Sequence, residues 1–275
     1  QQCRLDLDEV KERLNVLFPP EEEGARYSLS SDAVDELVTA PSGSEIDEGS
    51  LTYGEFSVET FQELLHAALY DGHPFCTLLS SPRAAPTTLE ITPSIADDLR
   101  FVDLGSGVGR LVLAAAMLHP FAQSTGIECL EPLHQRAEQA ARASTPPLAV
   151  DFLHADVHRD AAAAAALRRA DVVFCYSTAF ASSGDSLTEA SSTLGALLRP
   201  GARVITTDKR LEAAEFRLVT TRVGGNTGTG GRSTGYVFEA LGPRQRHASA
   251  GAGAGADESW PAAAAAMQFQ HINYK

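Results

Sequence analysis

A glycine-rich turn between two apolar stretches is the part of this sequence best suited to binding a ligand. It lies at residues 101–110, FVDLGSGVGR. Gly105, Gly107 and Gly109 allow the backbone to turn sharply and leave no Cβ between it and a ligand. Because an apolar helix is predicted from Leu111 onward, the turn would present free backbone N–H groups at a helix start. We therefore predict a cofactor-binding loop; the alternative is a glycine turn that binds nothing.

The acid that precedes the glycines distinguishes between two cofactor classes. Dinucleotide sites use the spacing G-x-G-x-x-G and place a pyrophosphate at the helix start. Here the spacing is G-x-G-x-G, and Asp103 stands just before it. Its carboxylate would repel a pyrophosphate but suits an amino group, which the aminoacyl end of S-adenosylmethionine carries. The sequence therefore favours S-adenosyl-L-methionine over NAD.

Two further acids stand where they can complete a cofactor site. Glu128 ends the second predicted strand, roughly 20 residues past the glycines, where a carboxylate can take both ribose hydroxyls. Asp156 follows the third predicted strand and can accept from an adenine amino group. The alternatives are a surface acid for Glu128 and a helix cap for Asp156.

Candidate catalytic residues follow the fourth predicted strand. Tyr176, Ser177 and Phe180 come after a nearly all-apolar run, at the edge where open α/β sheets bind ligands. An aromatic wall there can hold a lysine side chain by cation–π and apolar contact. It would also exclude water, which favours the neutral, nucleophilic amine. The alternative for Phe180 is a core position, and proton loss to solvent is expected because no general base is evident.

The elements that must position these residues alternate along the chain from Arg100. Five apolar runs separated by helical patterns predict a doubly wound parallel sheet. Two further β-rich runs are separated by a loop too short for a helical crossover, so they should pair as a hairpin. This combination predicts the α/β, seven-stranded class I methyltransferase (Rossmann-like) fold with a C-terminal antiparallel hairpin. The seven predicted strands are residues 100–104, 122–128, 149–153, 171–175, 202–207, 216–223 and 235–240.

Three regions are predicted from the same pattern. Residues 1–50 form a small helical N-terminal extension and linker, in which 21–24 is a solvated linker and Ser31 caps a short helix. Residues 51–242 form the methyltransferase domain. Residues 243–275 are a low-complexity Ala/Gly tail, predicted to be disordered because it offers little apolar surface to bury.

Composition excludes several classes of partner. The formal net charge is −14, which disfavours strong nucleic-acid binding by the whole surface and favours a basic protein, unless the charge only confers solubility. No apolar run approaches the ~20 residues of a membrane span, so no membrane association is expected. The four cysteines are scattered without metal-ligand spacing, so no metal site is predicted.

Several separated motifs resemble those of the Dot1-like methyltransferases over residues 51–240. The specific combination is Tyr53-Gly54-Glu55 upstream of DLGSGVG at 103–109. The resemblance implies that Tyr53 and Glu55 line a loop folding over the cofactor, and that Asp103 stands near the methionine amino group. The other matching pieces are 126–128, Phe174, 179–180 and the strand 203–209.

The resemblance implies protein-lysine methylation, with histone H3 in nucleosomes as the leading substrate and the nucleus as location. The best-known members carry Asn-Asn-Phe-Ala-Phe where this chain has YSTAF at 176–180, and they hold DNA with lysine-rich segments that are not found here. The first alternative is therefore a methyltransferase of non-histone proteins, which would be cytoplasmic. The second is a non-catalytic binding module that retains the fold.

Overall fold

A seven-stranded mixed sheet forms the centre of the computed structural model, which describes residues 5–39, 54–71, 98–225 and 231–241. The strand order is β3-β2-β1-β4-β5-β7-β6. Strands β1 to β5 are parallel, and β7 pairs antiparallel with both β5 and β6. The predicted fold class is therefore confirmed. The strands are β1 Arg100–Leu104, β2 Gln123–Glu128, β3 Val150–His154, β4 Val172–Cys175, β5 Arg203–Thr207, β6 Phe216–Gly225 and β7 Arg232–Ala240.

Seven α-helices surround this sheet within the described residues. They are α1 Leu7–Leu17, α2 Glu23–Thr39, α3 Val58–Tyr70, α4 Arg110–Leu118, α5 Glu131–Ala143, α6 Ala161–Leu167 and α7 Thr188–Leu197. Local signals set some of their starts. Asp6 and Glu9 form a capping box on α1, and the Ser57 hydroxyl caps α3 by accepting from the Thr60 N–H.

The prediction for the second helix is wrong in its start. A 3₁₀ turn at Pro20–Glu22 leads directly into α2, so residues 21–24 are not a linker and Ser31 lies inside the helix. Proline suits the first position of such a turn. Arg26, Ser30 and Ala33 are buried at helical spacing, so packing of one face, rather than a cap at Ser31, sets the length of α2.

Alternation along the strands sends side chains to two apolar layers. Phe101 and Phe174 pack with the layer under α1, α3, α4 and α5. Val102 and Val173 pack with the opposite layer, under α6 and α7. Asp103 has the parity of Phe101, so its carboxylate lies on the face covered by α3 and α4.

The hairpin of β6 and β7 lies directly against α3. A Cβ at Gly224 would lie 2.2 Å from Thr60, and one at Gly235 would lie 2.3 Å from Leu64. The Thr60 hydroxyl also donates to the Gly225 carbonyl. This close approach fixes α3, and with it the preceding segment 54–57 at the carboxyl edge of the sheet.

Several predictions fall outside the described residues. Tyr53, both predicted domain boundaries and the tail at 243–275 are among them. In the described ranges, none of the helices combines the length and apolar character needed to cross a bilayer.

Candidate active site

The glycine turn connects β1 to α4 and is anchored on β2. Its three glycines have positive φ angles, 66° at Gly105, 55° at Gly107 and 82° at Gly109, a region that other residues rarely adopt. The N–H groups of Gly105 and Ser106 both donate to the Ile127 carbonyl, at 2.9 and 3.1 Å. A Cβ at Gly109 would lie 2.5 Å from the Phe152 ring, so this position requires glycine for space as well as conformation.

Glu128 fixes the same turn from the end of β2. One carboxylate oxygen accepts from the Gly107 N–H at 2.8 Å, and the other accepts from the Leu130 N–H at 2.9 Å. The side chain is only 6% exposed. Burial raises the pKa of Glu128, and these N–H groups partly oppose the rise. Each oxygen of an ionised carboxylate keeps a further lone pair, so Glu128 can still accept from ligand hydroxyls.

Asp103 is the second buried carboxylate of the turn. Asp103 is 3% exposed, and its carboxylate accepts no hydrogen bond from any described residue. Burial, and then the neighbouring Glu128 charge, raises the pKa of Asp103 well above its ordinary value. No lysine or arginine of the described ranges pairs with either acid. A cationic ligand group would lower both pKa values and relieve this cost.

Glu55 lies close to two arginines near the start of α4. Its carboxylate is 6% exposed and lies 2.6 Å from Arg26 Nε and 3.9 Å from Arg110 Nε. Arg110 Nη1 also donates to the Phe56 carbonyl, and Arg26 Nη1 to the Pro19 carbonyl. Glu55 therefore docks its loop onto α2 and the start of α4. Its charge is compensated inside the protein, and its contact with the cofactor stays a prediction.

Tyr176 belongs to an aromatic cluster at the carboxyl edge of β4. Phe56 lies against Phe174 and Tyr176, with ring centroids 5.7 and 5.5 Å apart. A Cβ at Gly54 would lie 2.7 Å from the Tyr176 ring, so the loop backbone is in contact with that ring. Burial raises the pKa of Tyr176, and the Asp208 charge adds to the rise. The phenol therefore stays neutral and offers an aromatic wall.

Ser177 forms hydrogen bonds within the fold, and its catalytic role stays a prediction. The side chain is fully buried. Its hydroxyl donates to the Cys175 carbonyl and accepts from the Thr207 N–H. The Ser177 N–H donates in turn to Thr207 Oγ1. These bonds tie the ends of β4 and β5 together.

Phe180 lies against the glycine turn, and its role in the site stays a prediction. A Cβ at Gly105 would lie 3.5 Å from the Phe180 ring edge, so this ring covers the start of the turn. The Phe180 carbonyl accepts from Lys209 Nζ at 2.7 Å. The side chain is half-buried against the α6–α7 layer, so it has both a packing and a site position.

Asp156 stabilises its own turn after β3. One carboxylate oxygen accepts from the His158 N–H at 2.8 Å, and the other lies 3.5 Å from Arg159 Nε. The following helix begins at Ala161 with Asp160 as its N-cap, so Asp156 stabilises the preceding turn rather than capping a helix. The adenine contact stays a prediction.

Three residues of this region were missed from the sequence. Asp208 follows β5 at the same edge as Tyr176, so the rule that ligands bind at the carboxyl ends of parallel strands could have found it. Arg26 and Arg110 compensate Glu55. No sequence signal marks Arg26, because an arginine in an otherwise acidic helix is typical of a solvated face.

The polar groups of this site fit S-adenosylmethionine better than a dinucleotide. Asp103 and Glu128 provide two buried carboxyl groups, and the Ser106 hydroxyl is buried with no partner among the described residues. A sulfonium, an amino group and ribose hydroxyls match these acceptors. The pyrophosphate of NAD would meet two carboxylates at the same turn. On this chemistry the glycine turn, Asp103 and Glu128 would hold the cofactor, beside the wall formed by Tyr176 and Phe180.

Comparison with known proteins adds a family match. The profile of the family described as "Histone methylation protein DOT1" matches residues 88–225, half of this 275-residue chain. A search of curated protein sequences finds no match.

Solved structures of methyltransferases are similar at low identity. An RNA methyltransferase from Salinibacter ruber in complex with S-adenosyl-L-homocysteine is 23% identical, with 54% of this chain and 86% of that chain covered and a TM-score of 0.37. The N-methyltransferase NodS from Bradyrhizobium japonicum is 12% identical, with 77% and 98% covered and a TM-score of 0.46.

Proposed function

The chain belongs to the DOT1 family of histone methylation proteins, and on that basis we propose that it is a protein-lysine N-methyltransferase, with histone H3 as its leading substrate. Its cofactor is S-adenosyl-L-methionine. The observation that carries the proposal is that the family match spans the glycine turn, Glu128, Tyr176 and Phe180 together.

Catalysis by these residues would consist mainly of positioning. The cofactor, when bound, supplies a methyl group on a positively charged sulfur that an amine can displace in line. Asp103 would accept from the amino group of the aminoacyl end. Glu128 would accept from the ribose hydroxyls through its remaining lone pairs, while its present bonds keep the Gly107 N–H in place. Holding both reactants in a fixed geometry supplies much of the rate enhancement.

The aromatic wall would prepare the nucleophile. Tyr176 and Phe180 exclude water from the amine, which favours loss of its proton to solvent because the charged form is the more costly one to desolvate. The neutral lysine nitrogen held there would be the nucleophile for the methyl group that the cofactor supplies. The partner residues Phe56 and Phe174 keep the Tyr176 ring in position.

Methylation of non-histone proteins is a second candidate, favoured by charge. The formal net charge of −14 suits a basic protein partner but not a grip on nucleosomal DNA, and the sequence has no lysine-rich segment. We propose a nuclear location if a histone is the target and a cytoplasmic one otherwise. The third possibility, a non-catalytic binding module, draws on the YSTAF departure at 176–180, whereas the retained Asp103 and Glu128 favour an enzyme.

The test is methyl transfer by the purified chain from radiolabelled cofactor. Free histones, nucleosomes and a basic non-histone extract are assayed in parallel at low and moderate salt, with the Asp103→Ala variant as the inactive control. We expect free histone to be methylated at least as well as nucleosomes, and activity to fall as salt screens the acidic surface. Activity confined to nucleosomes would contradict this expectation. Activity only in the extract would favour non-histone substrates, and cofactor binding without transfer would favour the binding module.

A further inference from the structure

Asp208 lies directly after β5, at the carboxyl edge that also carries Tyr176. Its φ angle is 59°, and it is the only residue other than glycine with a positive φ in the described ranges. Such a conformation is uncommon outside glycine and has to be held by its surroundings. Strained positions of this kind concentrate at functional sites, which makes the Asp208 side chain a candidate functional group.

The Asp208 carboxylate is held by the start of β7. One oxygen accepts from the Ser233 hydroxyl at 2.8 Å, and the other accepts from the Thr234 N–H at 2.8 Å. The Asp208 N–H donates to the Thr234 carbonyl at 2.7 Å. Three hydrogen bonds therefore fix both the backbone and the carboxylate in one orientation.

The charge of Asp208 has no ion-pair partner among the described residues. The two cationic side chains that follow it in sequence are directed elsewhere. Lys209 Nζ donates to the Phe180 carbonyl, and the Arg210 guanidinium lies over the Tyr236 ring, 5.2 Å from its centroid. Asp208 is thus a fixed, partly exposed anion whose immediate cationic neighbours leave it uncompensated.

Tyr176 and Asp208 are brought together by the bonds between their neighbours. The N–H of Ser177 donates to Thr207 Oγ1 at 3.1 Å, and the N–H of Thr207 donates to Ser177 Oγ at 3.2 Å. These reciprocal bonds join the strand ends from which the two residues project. Burial and then the Asp208 charge raise the pKa of Tyr176.

We propose that Asp208 is a specificity-determining residue that, with the Tyr176 ring, holds the cationic end of the target side chain before methyl transfer. A fixed carboxylate beside an aromatic ring is complementary to an alkylammonium group through charge and cation–π attraction. Its contribution falls on substrate binding rather than on the chemical step, because the amine must lose its charge before it reacts. This inference rests on the proposed function and names the residue that selects its substrate.

The kinetic test uses Asp208→Asn in the full chain. Asparagine has the same shape, tolerates positive φ and retains an oxygen that can accept from the Thr234 N–H. With the best substrate of the methylation assay, KM should rise about tenfold or more, as for loss of a charge-assisted hydrogen bond. The kcat should change less than twofold, and cofactor affinity should be unchanged by calorimetry. The matched control is Asp151→Asn, which removes one exposed charge from the edge strand β3 and should alter neither constant.

A binding test separates this inference from the proposed function. A histone H3 core peptide and a basic non-histone peptide, each with a single lysine, are compared with copies that carry norleucine, in the presence of S-adenosylhomocysteine. The wild-type chain should prefer lysine, and Asp208→Asn should lose that preference, whether or not methyl transfer is detected. Equal binding of lysine and norleucine copies, or no binding of either, would overturn the inference. An unchanged KM in Asp208→Asn, with or without a fall in kcat and melting temperature, would also overturn it. So would an equal rise in KM in the control Asp151→Asn.

Discussion

Two groups of buried carboxylates lie at the start of α4, and they differ in how their charge is compensated. Glu55 is paired with Arg26 at 2.6 Å and has Arg110 at 3.9 Å. Asp103 and Glu128 are equally buried, yet no cationic side chain of the described residues pairs with them. The first group has its counter-charge within the fold, whereas the second needs it from outside.

The difference separates structural from functional charge. Removing one partner of a buried ion pair leaves an uncompensated charge, so Glu55 and Arg26 should matter mainly to stability. An acid whose pKa is raised by burial and by a like charge costs stability until a cation arrives, so Asp103 and Glu128 should matter mainly to binding.

The largest effect is expected for Arg26→Ala. It would remove the nearer arginine from the buried Glu55 carboxylate, and the loss of this partner should lower the free energy of unfolding by about 3–5 kcal/mol. Urea unfolding followed by circular dichroism measures this. The control is Arg142→Ala, which removes an exposed arginine paired with Glu138 and should cost under about 1 kcal/mol. Equal losses of unfolding free energy in the two variants would contradict a structural role for the buried Glu55–Arg26 pair.

Glu128→Ala should weaken cofactor binding by about 1.5–3 kcal/mol, the range for a lost charged hydrogen bond. The change also releases the Gly107 N–H, so Glu128→Gln, which keeps the shape and one carbonyl oxygen, should have a smaller effect. Isothermal calorimetry with S-adenosylmethionine gives both values. Glu131→Ala, an exposed acid at the start of α5, should leave affinity unchanged. An unaltered affinity in Glu128→Ala would remove the ribose assignment.

The pH dependence of Asp103→Asn tests whether the buried Asp103 carboxylate destabilises the protein in the absence of the cofactor. A raised carboxyl pKa in the folded state means that stability is complete below the unfolded value, which is 3.8 for Asp, and is lost as pH rises toward the folded value. The melting temperature of the variant relative to wild type should therefore increase from acid to neutral pH without cofactor. As pH rises, the affinity of Asp103→Asn for the cationic cofactor should increase less than that of the wild type. Parallel melting curves for the two proteins would show that Asp103 carries no buried charge penalty.

The smallest effect is expected for Glu59→Gln on the protein surface. Hydrogen bonds and the charge of Lys11 outweigh burial and lower the pKa of Glu59 to about 2. Its stabilising contribution is present above the ordinary value of 4.5 and is lost as pH falls through about 2. Because the pair is largely exposed, the substitution should cost less than about 1 kcal/mol at neutral pH, measured by urea unfolding. A larger cost would show that exposure does not separate the two classes of carboxylate.

The fold and the cofactor turn were determined largely by local sequence. The spacing of Gly105, Gly107 and Gly109 is a backbone requirement, and the structure gives all three positive φ angles. Apolar runs separated by helical patterns predicted the parallel strands, and the short connection between the last two predicted the hairpin. The carboxyl-edge rule then placed Glu128, Tyr176 and Phe180 at one edge of the sheet. These features depend on a few neighbouring residues and on topology, so the sequence was sufficient for them.

The partners of Glu55, Ser177 and Asp208 were decided only by the tertiary structure. Glu55 is paired with an arginine 29 residues away, Ser177 is bonded to Thr207 30 residues away, and Asp208 is held by an N–H 26 residues away. The length of α2 likewise depends on the packing of its buried face, which includes Arg26, rather than on a cap at Ser31. Whether a polar side chain serves the fold or a ligand depends on which group lies opposite it once the chain has folded. That group is set by packing across the sheet, and spacing along the chain does not encode it.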